Sequence, residues 1–197
     1  MTVSWTEEPA RIVPVRLPEP EALFRVRAER LARLARGSGS EAYLRFLSRL
    51  AAGQEAAVRE VRPPPARLPG GAGPPLDPAR LPRDGAWRRM LGAVLAAARA
   101  PDLPREAGEA LRALGEAPAP GLEALADRVL GGEVTRGDLA AAPLVGAALQ
   151  AWFAALAAGL DPAPAAGGAA CPACGSPPVA GIVQGKDRVR YLACALC

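Results

Sequence analysis

Four cysteines, all at the C-terminal end of this 197-residue chain, are the residues whose types and spacing point most directly to chemistry. Cys171-Pro172-Ala173-Cys174 is followed by nineteen residues, Gly175 to Ala193, and then by Cys194-Ala195-Leu196-Cys197. Two residues between cysteines let both thiolates of a tight turn face one ion. Two such turns joined by a hairpin supply tetrahedral sulfur coordination. Cys171, Cys174, Cys194 and Cys197 are therefore the expected ligands of one metal ion, zinc or iron, since ligand type alone does not choose between them. A redox dithiol pair is the main competing use of the same spacing, but one pair would then suffice, and no strand-helix pattern surrounds these.

A closed four-thiolate site leaves no coordination position for water or substrate, so it holds structure rather than performs catalysis. The rest of the sequence agrees. Histidine is absent throughout, which removes the usual general base, the usual proton shuttle and the commonest metal ligand. Serines are few, and the carboxylates lie mostly on helix faces with arginines nearby, so no nucleophile and base pair off. No catalytic residue is expected, and no cofactor beyond the metal.

The elements that must carry the cysteines are legible in outline. Val179–Val183 and Arg188–Ala193 read as two strands, with Gln184, Gly185, Lys186 and Asp187 as the turn between them. Upstream the apolar content is mostly alanine and leucine, with only 4% aromatic residues, which suits close helix packing rather than a β-rich body. The fold class is mainly α: a helical domain over residues 1–165, with a Pro/Gly-rich loop at about 63–83, followed over 166–197 by a small rubredoxin-like or zinc-ribbon hairpin module.

Within the helical part, a first helix opens near Glu21, with Phe24, Ala28, Leu31 and Ala35 on one face and Arg25, Arg33 and Arg36 pointing away. Gly37 stops it. Ser38 with Glu41 forms a capping-box pattern for a second helix, striped by Tyr43, Leu47, Leu50, Ala57, Val58 and Val61. Gln54 interrupts that stripe and needs a buried partner, either at a neighbouring helix terminus or as a polar contact in a binding groove. Asp84 is the expected N-cap of a third helix carrying Trp87, Leu91, Val94, Leu95 and Ala98. Two shorter helices, Arg105–Leu114 and Leu122–Leu130, follow and close at Gly131 and Gly132.

Leu139 to Leu160 contains 22 residues with Gln150 as its one polar exception, long enough for a membrane span. Much of it is alanine and glycine, which gain little from lipid. Val145, Leu149, Trp152 and Leu156 recur at core-helix spacing, so a buried helix is expected and no membrane span. The N-terminal residues, with Glu7, Glu8 and Pro9 soon after Trp5, carry no export signal pattern, and a cytoplasmic location is expected, where cysteines are more often ligands than disulfides.

The formal charge of +4 would permit contact with an acidic surface, but 24 basic residues are interleaved with 20 acidic ones. Four thiolates around a divalent ion carry two net negative charges, which would leave the holo-protein near +2. A zinc-ribbon nucleic-acid binder is the alternative function. Its ribbon would offer only Lys186, Arg188, Arg190 and Tyr191 against Asp187, a thin footprint for phosphates, and no nucleic acid is expected as partner.

The run Cys171-Pro172-Ala173-Cys174-Gly175-Ser176-Pro177-Pro178-Val179, followed by Arg190-Tyr191-Leu192-Ala193-Cys194-Ala195-Leu196-Cys197, resembles the first metal-binding module of the formate dehydrogenase accessory protein FdhE family. The resemblance extends through Leu23-Phe24 and Arg27-Ala28-Glu29-Arg30-Leu31, Tyr43-Leu44-Arg45-Phe46 with Gln54-Glu55, and Pro74-Pro75-Leu76-Asp77 through Leu81-Pro82-Arg83-Asp84 to Trp87. It implies a helical domain followed by two rubredoxin-like modules, with the four cysteines as ligands of the first. It also implies a non-catalytic role in maturing respiratory formate dehydrogenase, in contact with the catalytic subunit and its twin-arginine export signal. Family members continue past the position of Cys197 into more strand and a second four-cysteine module, so the module at 166–197 is expected to be incomplete, as a fragment, a frameshifted product or a natural truncation. A non-functional remnant is the further alternative. A free carboxylate on the last ligand residue is expected to weaken the metal's hold.

Overall fold

The computed structural model describes residues 15–63, 73–101, 103–161, 169–186 and 188–197. The expectations for the N-terminal residues around Trp5, for the prolines and glycines of 64–72, for most of the loop at 161–170 and for Asp187 fall outside them.

Six α-helices precede one β-hairpin among the described residues: α1 (Pro20–Ala35), α2 (Glu41–Glu60), α3 (Ala86–Ala98), α4 (Arg105–Glu116), α5 (Ala119–Gly131), α6 (Ala142–Ala157), β1 (Pro178–Gln184) and β2 (Val189–Cys194). Prolines in the first turn start α1, α5 and α6, where a missing N–H costs nothing. α1 ends at Ala35, just before Gly37, and its expected faces hold: Phe24 and Ala35 are buried, and Arg25, Arg33 and Arg36 are exposed.

Three local expectations change. The Ser38–Glu41 capping box does not form. The Ser38 hydroxyl instead accepts from the Ser40 N–H at 3.1 Å, and Ser40 is the residue that precedes α2. Asp84 acts one residue early, its Oδ1 accepting from the Ala86 N–H at 2.8 Å while Gly85 sits at the cap position. Tyr43, placed on the buried stripe of α2, is 62% exposed. The stripe becomes continuous only from Leu50, where α2 meets α3 and α6.

The core is built around α6. Ten of its side chains are buried, from Leu144 to Ala157, on every side of the helix, because α1, α2, α3 and α5 all pack against it. That enclosure explains the unbroken apolar run, since a helix surrounded by helices needs no polar face. The run is shorter as a helix than as a sequence: Leu139 is 63% exposed and α6 begins at Ala142. No described helix is long and apolar enough to cross a membrane.

Gly53 sets the spacing of α2 against α3. A Cβ there would stand 2.9 Å from Ala97 Cβ and 3.0 Å from Val94 Cα, so only a glycine lets the two backbones approach this closely. Trp87, fully buried on α3, donates from Nε1 to Glu123 Oε1 on α5 at 2.9 Å. Glu123 also accepts from Arg83 at 2.8 Å and from Arg88, and Arg83 reaches Asp127 at 2.5 Å. This network fastens the segment before α3 to α5.

The hairpin is antiparallel, with Gln184 facing Val189 and a register shift between Pro178 and Ala180. β1 is exposed along its whole length. The hairpin therefore contributes little to the common core. Its cysteine turns are what join it to the helices.

Candidate metal centre

The first cysteine turn is closed by backbone hydrogen bonds: Gly175 N–H donates to the Cys171 carbonyl at 2.8 Å, and Cys171 N–H to the Ser176 carbonyl at 2.9 Å. Gly175 takes φ +76°, a left-handed conformation that a side chain would strain, and the Pro74 ring lies 3.2 Å from where a Cβ would be. The second turn leaves the end of β2, where the Cys197 N–H donates to Cys194 Sγ at 3.3 Å. An N–H directed at sulfur favours the thiolate form of that sulfur.

The two turns bring all four Sγ atoms within 4.8 Å of one another. Cys171–Cys197, Cys174–Cys194 and Cys194–Cys197 are 3.5, 3.8 and 3.4 Å apart. A tetrahedral zinc–sulfur site with bonds of ~2.3 Å has sulfur–sulfur edges of about 3.8 Å, so the cluster is the size of a four-thiolate cage around one ion. Cys174 is buried, 1% exposed, and the other three are half-buried. The four cysteines are thus placed to hold one metal ion.

The electrostatics agree with that use. Cys171 is pulled down to about 6, chiefly by a hydrogen bond from Cys174, and Cys194 is pulled down by hydrogen bonds from Cys171 and Cys174. Cys174 and Cys197 are pushed up, each mainly through its hydrogen bond with Cys171. Four thiols this close cannot all ionise against one another, and a divalent cation removes the conflict by taking the place of the protons.

The helical body holds the cluster at two points, one in the loop between α2 and α3 and one on α6. The Leu76 N–H donates to the Ala173 carbonyl at 2.7 Å, with Leu76 itself fully buried. On the other turn, Gln150 Nε2 donates to the Ala195 carbonyl at 2.5 Å. Gln150 Oε1 accepts from Gln54 Nε2 at 2.8 Å and from Arg27 Nη1 at 2.7 Å, and Gln54 Nε2 also reaches the Ala147 carbonyl at 2.9 Å. Gln54 thus has its buried partner within the body of α6 rather than at a helix terminus, and it lines a groove as well. That groove, about 650 Å³, lies between α1, α2, α5, α6 and the second cysteine turn.

Sequence reasoning gathered the four cysteines and singled out Gln54. It passed over Gln150, noted only as the polar break in an apolar run, and that break was the available signal. Arg16, also missed, links the segment before α1 to the hairpin by donating to Gln184 Oε1 at 2.5 Å and stacking 4.7 Å over the Tyr191 ring.

Comparison with known proteins gives one consistent answer. The family model "FdhE, N-terminal" matches residues 12–168, and "FdhE, central domain" matches residues 170–197. A protein FdhE homolog of Erwinia tasmaniensis is 36% identical over 94% of this chain and 64% of its own length, and one of Pseudomonas aeruginosa is 37% identical over 96% and 66%. The crystal structure of the FdhE protein from Pseudomonas aeruginosa superposes with a TM-score of 0.74 at 35% identity, covering 92% of this chain and 66% of that one. The chain thus spans slightly under two thirds of the length of these relatives. With both family models matched in order and 92% of the chain aligned in structure to a solved member, the chain belongs to the FdhE family.

Proposed function

We propose that the chain acts as a non-catalytic accessory factor in the maturation of a respiratory formate dehydrogenase in the cytoplasm, binding the catalytic subunit or its export signal. Cys171, Cys174, Cys194 and Cys197 are the ligands of its one zinc or iron ion. The ion would supply a fixed cross-link between the two turns. The chain's own residues place that cross-link, through Leu76 on the first turn and Gln150 on the second. Helical residues 1–165 and the metal module of residues 166–197 form two units, a division supported by family models that meet between residues 168 and 170.

The match to the FdhE family supports the maturation role, and the observation that carries the metal site is the convergence of four sulfurs within 4.8 Å in a cluster tied by hydrogen bonds to a helical body. Such a site is coordinatively complete with one ion and offers no reacting position. Its use is to fix geometry at the wall of the groove that Gln150 and Ala195 share.

Retention of formate dehydrogenase catalytic subunit by the immobilised chain at low salt tests the role. Wild type should retain the subunit, and a Cys171→Ala, Cys174→Ala variant should lose most of that retention. Failure of wild type to retain it defeats the reading. Cobalt substitution tests the site: tetrahedral thiolate bands are expected, and a Cys171–Cys174 disulfide in their place, in protein kept reduced, would overturn the assignment.

A further inference from the structure

The groove between α1, α2, α5, α6 and the second cysteine turn has an unusual balance of charge. Its walls are apolar, with Leu31, Leu47, Leu130 and Leu196 among them, and its volume of about 650 Å³ suits a few side chains rather than a folded domain. Among the described residues it is lined by one charged side chain, Arg27, and by no acidic one. The guanidinium is half-buried, and burial lowers its proton affinity. Its recorded partners are neutral: Gln150 Oε1, at 2.7 Å from Nη1, and the Phe24 ring, 5.4 Å below Cζ.

A guanidinium carries five N–H donors in a fork that matches a carboxylate, and a partly desolvated cation without an anion is poorly compensated. The Gln150 amide oxygen is neutral and cannot supply the missing charge, and it also accepts from Gln54, so both of its lone pairs are in use. The groove therefore offers an apolar channel with a single positive charge in it. We infer that it is a docking site for an apolar polypeptide segment bearing one acidic side chain, whose carboxylate pairs with Arg27 while its apolar neighbours lie against Leu31, Leu47 and Leu130.

That the occupant is a polypeptide rests on the accessory-factor reading. Its charge does not. A doubly basic export signal meets a like charge here and is the wrong ligand for this groove. If the chain handles such a signal, it does so on another surface, and the groove takes a different part of the client.

The test uses the whole metal-loaded chain and three fluorescent ten-residue peptides of leucine and alanine, blocked at both ends, with a central glutamate, glutamine or arginine. The glutamate peptide should bind about tenfold more tightly than the glutamine peptide, and the arginine peptide more weakly than either. Arg27→Gln should remove the preference for glutamate over glutamine. A fourth peptide, with central glutamine and a free terminal carboxylate, should not match the glutamate peptide.

Equal affinity of the glutamate and arginine peptides on wild type overturns the inference, without reliance on any variant. So does the absence of binding by all four peptides, or a dimer in light scattering whose dissociation is required before any peptide binds, since the groove would then be filled by a second copy. Retention of the catalytic subunit is a separate measurement: if it persists while the peptide preference fails, the groove assignment falls and the accessory role stands.

Discussion

Gln150 does more at the residue scale than its place in an apolar helix suggests. Its amide serves three elements at once, donating to the cysteine turn at Ala195 and accepting from Gln54 on α2 and Arg27 on α1. Replacing it with leucine keeps the volume and removes every one of these bonds, leaving a half-buried guanidinium and a buried amide with fewer partners. Such losses cost about 1–3 kcal/mol per unsatisfied buried group, more where a charge is involved. Gln150→Leu should therefore lower stability by about 2–3 kcal/mol in urea unfolding. Gln54→Leu, which still leaves Gln150 to accept from Arg27, should cost ~1 kcal/mol. Because the two glutamines share a bond, the double variant should fall short of the sum. Strict additivity would show that the Gln54–Gln150 bond contributes nothing.

At the scale of elements, the entry to α6 depends on a carboxylate. Arg128 in the last turn of α5 donates to both oxygens of Asp138, at 3.0 and 2.7 Å, and Thr135 donates to the same carboxylate through its N–H at 3.0 Å and its hydroxyl at 2.7 Å. The capping box absent from α2 is formed here instead, around the short turn Arg136–Asp138. These bonds, that from Arg128 foremost, hold the Asp138 carboxyl well below the ordinary carboxylate range. A carboxyl whose proton affinity is lower folded than unfolded contributes stability above its unfolded pKa of ~4 and loses it as pH falls toward the folded value. Asp138→Asn should accordingly melt below wild type at pH 7, with the gap narrowing below about pH 4. A gap that is constant from pH 7 to pH 2 would mean that the charge of Asp138 is irrelevant to the α5–α6 connection.

Helix existence was readable from the sequence because α1, α3 and α6 repeat their apolar residues at helical spacing, a local property. Caps and contacts were less so. Ser38 and Glu41 match the capping pattern, yet Ser38 is taken by the turn that follows Gly37, and local bonds of this kind compete on nearly equal terms. Tyr43 fits the stripe of α2 but lies beyond the reach of α3 and α6, which only the tertiary arrangement reveals. The four cysteines were legible as a set because tetrahedral thiolate coordination demands that spacing, whereas nothing local marks Pro74 and Leu76 as the support of the first turn.

On the scale of the whole molecule, the metal centre and the helical core differ in what holds them together. The helical core encloses Phe24, Trp87, Phe153 and Trp152 almost completely and stands on apolar burial. The hairpin exposes Val179, Val183 and Leu192, the last 69% exposed, and a two-stranded hairpin is marginal on its own in water. A cluster able to hold a metal at the base of such a hairpin is expected to supply its order through a bound ion, whereas the helices are expected to stand without one. Stripping the ion with a strong chelator should abolish amide-exchange protection in β1 and β2 but leave helical circular dichroism and the fluorescence of Trp87 and Trp152 close to those of the loaded chain. The contacts at Leu76 and Gln150 would loosen with the turns they hold, so the helical melting temperature should fall by a few degrees rather than collapse. Loss of the helical signal in step with the metal would show instead that the two parts fold as one cooperative unit, with the ion stabilising the core directly.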